Sequence, residues 1–120
     1  MRCLLIVLLL PGMIAVADVM TGDYRAWIEQ AYDSGTLVIL PRLAAGHTAR
    51  VYFELISIKS DEAGNTSSTR QAGSIQLEQG QVRTLSRMHL GINTGDHYNL
   101  KLRVFEGNQL VAEDRFTYPY

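Results

Sequence analysis

Turn-forming residues recur along this 120-residue chain at nearly even intervals, and that spacing limits the possible folds more than any single motif does. Ser34-Gly35, Ala45-Gly46, Gly64-Asn65, Gln79-Gly80, Thr94-Gly95 and Gly107-Asn108 divide the sequence from Tyr24 onward into seven segments. Glycine reaches positive φ without steric cost and Asn tolerates it, so each pair predicts a reversal of the chain. Between the turns, apolar and polar residues alternate. Val51, Phe53 and Leu55 interleave with Arg50, Tyr52 and Glu54. Met88, Leu90 and Ile92 interleave with Arg87, His89 and Gly91. Tyr98, Leu100, Leu102 and Val104 interleave with Asn99, Lys101, Arg103 and Phe105, and Leu110, Ala112 and Phe116 with Val111, Glu113 and Arg115. A period of two with one polar face predicts half-buried antiparallel strands. Seven such strands in about a hundred residues predict an all-β, seven-stranded immunoglobulin-like β-sandwich.

Three stretches depart from simple alternation. Residues 36–40 are apolar on both faces, as in a strand covered on both sides, and Pro41 should limit how far its ladder runs. In residues 24–32, Tyr24, Trp27, Ile28, Ala31 and Tyr32 fall at helical spacing, with Asp23 placed as an N-cap and Gly35 just beyond the end. The local pattern predicts a helix there, whereas a sandwich needs this segment as its first strand. Residues 60–68 (SDEAGNTSS) predict a polar hairpin loop.

The first 17 residues, MRCLLIVLLLPGMIAVA, predict a secretory signal: one basic residue, an apolar run, Pro11-Gly12, then the small-x-small site Ala15-Val16-Ala17. The run is shorter than the ~20 apolar residues that a spanning helix needs. Cleavage after Ala17 would leave a single domain at residues 18–120, outside the cytoplasm. It would also remove Cys3, the one cysteine, so packing alone must hold a domain of a size that often relies on disulfides. Loss of Arg2 leaves ten basic against twelve acidic residues, which excludes a broad nucleic-acid footprint.

Catalytic chemistry finds no support. His47, His89 and His97 share no metal-ligand spacing with each other or with a carboxylate. There is no G-x-S-x-G and no phosphate-binding glycine loop. Asp61-Glu62 and Glu113-Asp114 are adjacent pairs whose members face opposite ways on a strand. No catalytic residue, metal or cofactor is expected, and the domain is read as a monomer. The outward faces are more informative. In the expected sandwich the third, sixth and seventh strands share a sheet, which gathers Arg50, Tyr52, Lys101, Arg103, Phe105 and Arg115 on one surface. On composition alone this is an ordinary solvated face, because scattered exposed apolar residues are common.

Several motifs resemble those of a known family. Thr69-Arg70-Gln71-Ala72-Gly73-Ser74-Ile75-Gln76-Leu77 is similar to the R-Q-[SA]-G-x-[hydrophobic]-x-L stretch of the curli-assembly chaperones of the CsgC/CsgH type, with Arg70, Gln71 and Gly73 as motif residues. Leu85-Ser86-Arg87-Met88-His89-Leu90-Gly91-Ile92, then Gly95-Asp96-His97-Tyr98, resemble that family's L-[ST]-x-[hydrophobic]-x-L-x-[IV] strand and the G-D-x-Y that opens its next strand. Val104-Phe105-Glu106-Gly107 and Leu110-Val111-Ala112-Glu113 continue the likeness in order, and residues 37–43 match an early strand.

The resemblance implies a periplasmic immunoglobulin-like protein that binds unfolded curli-type amyloid subunits and prevents premature fibrils. It also implies that residues 24–32 form a strand. The CsgC branch carries a C-x-C pair. The aligned His47-Thr48-Ala49-Arg50 does not, which excludes thiol redox chemistry and moves the chain toward the CsgH branch. The alternative reading is a non-catalytic structural or adhesion module of the cell surface. A pilus-type chaperone would normally need two such domains. The leader is checked directly: intact mass of the periplasmic form should correspond to a start at or near Asp18, and a mass retaining Arg2 and Cys3 would refute the signal.

Overall fold

The structure, a computed structural model, describes residues 19–21 and 23–119. The expected leader at residues 1–17, its expected cleavage site and Cys3 lie outside the described residues. The fold is all-β, with two antiparallel sheets. In chain order the strands are β1 (Val19–Thr21), β2 (Tyr24–Asp33), β3 (Thr36–Ala45), β4 (Ala49–Ser60), β5 (Thr66–Leu77), β6 (Val82–Thr84), β7 (Met88–Gly91), β8 (His97–Glu106) and β9 (Gln109–Tyr118). One sheet has the order β1-β2-β3-β6, with β7 also paired to β3; the other has the order β5-β4-β8-β9.

The nine described strands replace the seven expected. The short β1 precedes the first expected strand, and the fifth is split into β6 and β7. Pro41 explains the split. β3 runs unbroken through it, with Ile28 opposite Pro41 on the β2 side. The Pro41 carbonyl accepts from the Leu85 amide at 2.9 Å, so the proline's missing N–H faces β6 and β7. There the ladder is interrupted: β7 pairs residues Thr36 to Ile39 of β3, and β6 pairs Arg42 to Ala44. Pro41 therefore breaks the partner's ladder instead of ending its own strand.

Residues 24–32 form strand β2, against the helical spacing of their aromatics. Burial alternates at its start: Tyr24 and Ala26 are buried, while Arg25 and Trp27 face outward with the guanidinium 4.5 Å from the indole centroid. Tertiary pairing with β3 over ten residues outweighs the local pattern. The β8–β9 pairing also corrects the sequence reading. A register shift opposite Val104 and Phe105 inserts one residue, so Val111 and Ala112 are both buried and Leu110 is the residue that turns outward.

The core fills the space between the sheets in two clusters. One contains Leu43, Val51, Leu55, Leu77, Leu102 and Val104; the other contains Leu37, Ile39, Tyr98 and Leu100; Ile28 and Met88 touch both. Leu55, Leu100 and Leu102 are fully buried, and truncating any one to Ala should cost ~2–5 kcal/mol.

The G-D-x-Y segment ties off the end of the second cluster. The buried Asp96 carboxylate accepts from the Asn93 amide at 3.0 Å, and the Tyr98 hydroxyl donates to the Gly91 carbonyl at 2.7 Å. Gly95 has φ +86°, and a Cβ there would lie 2.6 Å from the Glu62 Cβ. Gly73 is different: it has no positive φ, and a Cβ would meet the Phe53 ring at an ordinary 3.6 Å. Gly95→Ala should therefore lower stability by ~1–3 kcal/mol, whereas Gly73→Ala should stay within about 0.5 kcal/mol of wild type. Paired urea melts measure both.

Candidate functional site

The outward face of the β5-β4-β8-β9 sheet carries most of the candidate residues, and strand register orders them into rows. β4 and β8 pair in register from Tyr52↔Phe105 to Ser60↔His97. Side chains two residues apart on a strand share a face about 6.6 Å apart, and neighbouring strands are about 4.8 Å apart.

The first row is apolar: Tyr52, Phe105 and Leu110 lie side by side. The Tyr52 and Phe105 ring centroids are 6.5 Å apart, and Tyr52 and Leu110 are 37% and 38% exposed. The second row alternates in charge, with Glu54, Arg103 and Glu113 on β4, β8 and β9. The third row holds Ile56, Lys101 and Arg115, with Arg70 opposite Ile56 on β5. The row crosses all four strands, about 14 Å from β5 to β9. The face thus bears five cations, Arg50, Arg70, Lys101, Arg103 and Arg115, against two carboxylates, in a chain whose formal net charge is -1.

These cations are not equivalent. Arg70 leans back from its row: its Nε donates to Glu54 Oε2 at 2.9 Å and its NH2 to the Tyr52 hydroxyl at 3.0 Å. Arg103 donates to the other Glu54 oxygen at 3.4 Å and lies 5.6 Å from the Phe105 centroid. The Arg70 hydrogen bond, assisted by Arg103 and opposed by partial desolvation, holds the Glu54 carboxyl below the usual glutamate range. The same contact to Glu54, followed by that to Tyr52, raises Arg70. Lys101 and Arg115 have no ion pair or hydrogen bond among the described residues. Of the four cations in these rows, Arg70 and Arg103 brace the face and Lys101 and Arg115 are presented by it.

Lys101, Arg103, Tyr52, Phe105 and Arg115 therefore stand together, as the strand pattern predicts. Arg50 does not join them. It lies opposite Gln76, past the last β4 residue paired to β8, six residues and about 20 Å along β4 from the Lys101 row. Of the R-Q-A-G residues, Arg70 belongs to the face, whereas Gln71 and Gly73 lie on the other side of β5, opposite Leu55 and Phe53. Glu54 as the anchor of two arginines was not foreseen. The observed hairpin is centred on Ala63, which brings Arg70 beside Ile56 and within reach of Glu54; a hairpin centred on Gly64-Asn65 would have placed Arg70 opposite Lys59. A cleft lined by Gln30, Tyr32, Arg115, Phe116 and Tyr118 opens at the Arg115 end of the row, with Tyr32 and Tyr118 centroids 6.2 Å apart.

No group of three His, Cys, Asp or Glu side chains among the described residues is placed to hold a metal. His47 packs edge-on to Tyr24, with Nδ1 3.0 Å from Asp23, far from His89 on β7 and His97 at the start of β8.

The sequence profile of the Tafi-CsgC family, described as "Thin aggregative fimbriae synthesis protein", matches residues 19–116. Among solved structures, the E. coli curli protein CsgC superposes with a TM-score of 0.65 at 18% identity, covering 79% of this chain and 97% of that one. The solution structure of R. palustris CsgH superposes with a TM-score of 0.59 at 22% identity, covering 74% of this chain and 87% of that one. Backbone likeness is thus higher to CsgC and identity higher to CsgH. No curated protein sequence matches significantly.

The Glu54 site makes an acid-limb prediction. A carboxyl with a depressed folded pKa adds stability above its unfolded value of ~4.3 and loses that stability as pH falls through the folded pKa. Arg70→Ala should be modestly less stable than wild type at pH 7. The difference should shrink toward pH 3 as Glu54 takes up its proton. Urea midpoints at the two pH values check it.

Proposed function

The chain belongs to the Tafi-CsgC family of thin aggregative fimbriae synthesis proteins, and from that premise we propose that it is a non-enzymatic chaperone that binds unfolded curli-type amyloid subunits and delays their fibril formation. The observation that carries the reading is that Lys101 and Arg115 share one sheet face with the exposed Tyr52 and Leu110 and the half-buried Phe105, the row of Glu54, Arg103 and Glu113 lying between them. Amyloid subunits associate through extended backbone and stacked side chains. A face that attracts such a chain by charge and offers it a few aromatic contacts holds it briefly. Ordering a disordered chain costs entropy, so affinity per unit area is low and release is fast. Unpaired cations act chiefly on the encounter rate.

The proposal includes the compartment and the fold type. Residues 1–17 act as a secretory signal, so the domain works in the periplasm as a monomer. No helix among the described residues is long and apolar enough to cross a membrane. An immunoglobulin-like reading of the fold is supported by the shared sheet of β4, β8 and β9. It is also supported by the Tyr98 hydroxyl bonded to backbone seven residues upstream, as in a tyrosine corner.

Fibrillation of a curli-type subunit should be delayed by the wild-type domain at substoichiometric ratios. Charge steering of this kind changes association rates by 10-fold or more, so Lys101→Glu/Arg115→Glu should require roughly tenfold more protein for the same delay, with an unchanged melt. The wild-type effect should weaken as salt rises above ~0.15 M, where the Debye length falls below ~8 Å. An unchanged delay for the folded double variant would remove this row from the mechanism. No delay by wild type at any ratio would remove the chaperone reading.

A further inference from the structure

The two sheets have four edges, and three are blunted. β1 is three residues long, and it and β2 pack along β9, the far edge of the other sheet. The Asp114 carboxylate of β9 accepts from the Ile28 amide of β2 at 2.9 Å, capping an N–H that would otherwise point out of the sheet. β6 and β7 are three and four residues long and interrupted at residues 85–87. Short, interrupted and covered edges are the usual protection against unwanted strand pairing.

The fourth edge has none of this protection. β5 runs for 12 residues, pairs with β4 along its whole length without a register shift, and pairs with nothing on its other side among the described residues. It contains no proline, and Arg70 is its single charge. Thr66 to Arg70 are all exposed. In an antiparallel ladder alternate residues bond the partner strand, so the remaining β5 amides and carbonyls point outward.

We propose that this edge is a strand-addition site that takes an extended, polar, acidic segment of the unfolded subunit. The proposal rests on the chaperone reading above and specifies where the captured backbone lies. Along residues 66–72 the edge offers backbone groups flanked by hydroxyl, amide, alanine and arginine side chains; a cleft lined by Ser67, Thr69, Met88, Leu90 and Tyr98 borders it on the inner side, and the outward-facing row suits a polar strand. Arg70 is paired with Glu54, but Lys101 and Arg115, about 10 and 14 Å further across the sheet in the same row, leave this side of the sheet net positive, so the charge complement is acidic. A second copy is the poorer occupant. Antiparallel pairing of β5 with itself about an axis normal to the sheet brings two Arg70 side chains onto neighbouring positions and joins two cationic faces, and like charges across a strand pair are destabilising.

Amide hydrogen exchange of the secreted form, alone and with monomeric curli-type subunit, tests the idea alongside a fibrillation time course. Strand addition should slow alternate amides between Thr66 and Leu77 by about tenfold or more, leaving β7 and β9 unchanged. A preserved fibrillation delay with unaltered β5 exchange overturns strand addition and leaves the chaperone reading standing. No delay and no protection overturns both. Protection of β5 that rises with the concentration of this protein alone assigns the edge to a second copy and overturns the proposal.

Discussion

The pairing of β4 with β8 fixes the outward face of the four-stranded sheet. Leu55 and Leu102 face each other across these central strands, and both are buried. A slip of one residue would carry every side chain of one strand to the opposite face, exposing leucines and burying lysine or arginine. That cost locks the register, and the register in turn sets Tyr52 beside Phe105, Glu54 beside Arg103 and Ile56 beside Lys101. The irregularity opposite Val104 and Phe105 adds one local adjustment. It sinks Val111 and lifts Leu110 into the aromatic row.

Charge on the outward face is organised by one carboxylate. Glu54 accepts from Arg70 on the neighbouring strand and from Arg103 on the other, so two of the cations hold the sheet's side chains in place. Exposed pairs of this kind add little to stability. Their consequence here is geometric: Tyr52 and Phe105 are held beside fixed guanidinium groups, and Lys101 and Arg115 remain as the cations without internal partners among the described residues. The same sheet ends in β5, whose outer edge is long and unprotected. Face and edge together give a partner chain both an electrostatic approach and a backbone to pair with.

Much of this architecture was legible in the residues. Period-two alternation located β4, β8 and β9 and turned Lys101, Arg103, Phe105 and Arg115 outward, because burial of one strand face is a local requirement written directly into the sequence. The errors share a different cause, which is that they depend on pairing partners distant in the chain. The aromatics of β2 mimic a helical stripe, and only pairing with β3 makes it a strand. Pro41 interrupts the ladder of β6 and β7 instead of its own. The extra residue that buries Val111 reflects a mismatch between two strands and has no signature in either alone. Arg50 has the right parity and the wrong row, since its distance from Lys101 is set by where β8 ends. Arg70 stood out only through a family motif, and its link to Glu54 needed the β4–β5 register.

The central claim is that the outward face of the β5-β4-β8-β9 sheet is the surface that meets the subunit. Backbone amide chemical shifts of the isotope-labelled domain, followed while monomeric curli-type subunit is titrated in at low salt, address that claim most directly. The account predicts shifts concentrated on Tyr52, Ile56, Lys101, Phe105, Leu110 and Arg115 and fading as salt is added. Shifts centred instead on β2, β3 and β7 of the other sheet, with this face unperturbed, would contradict it.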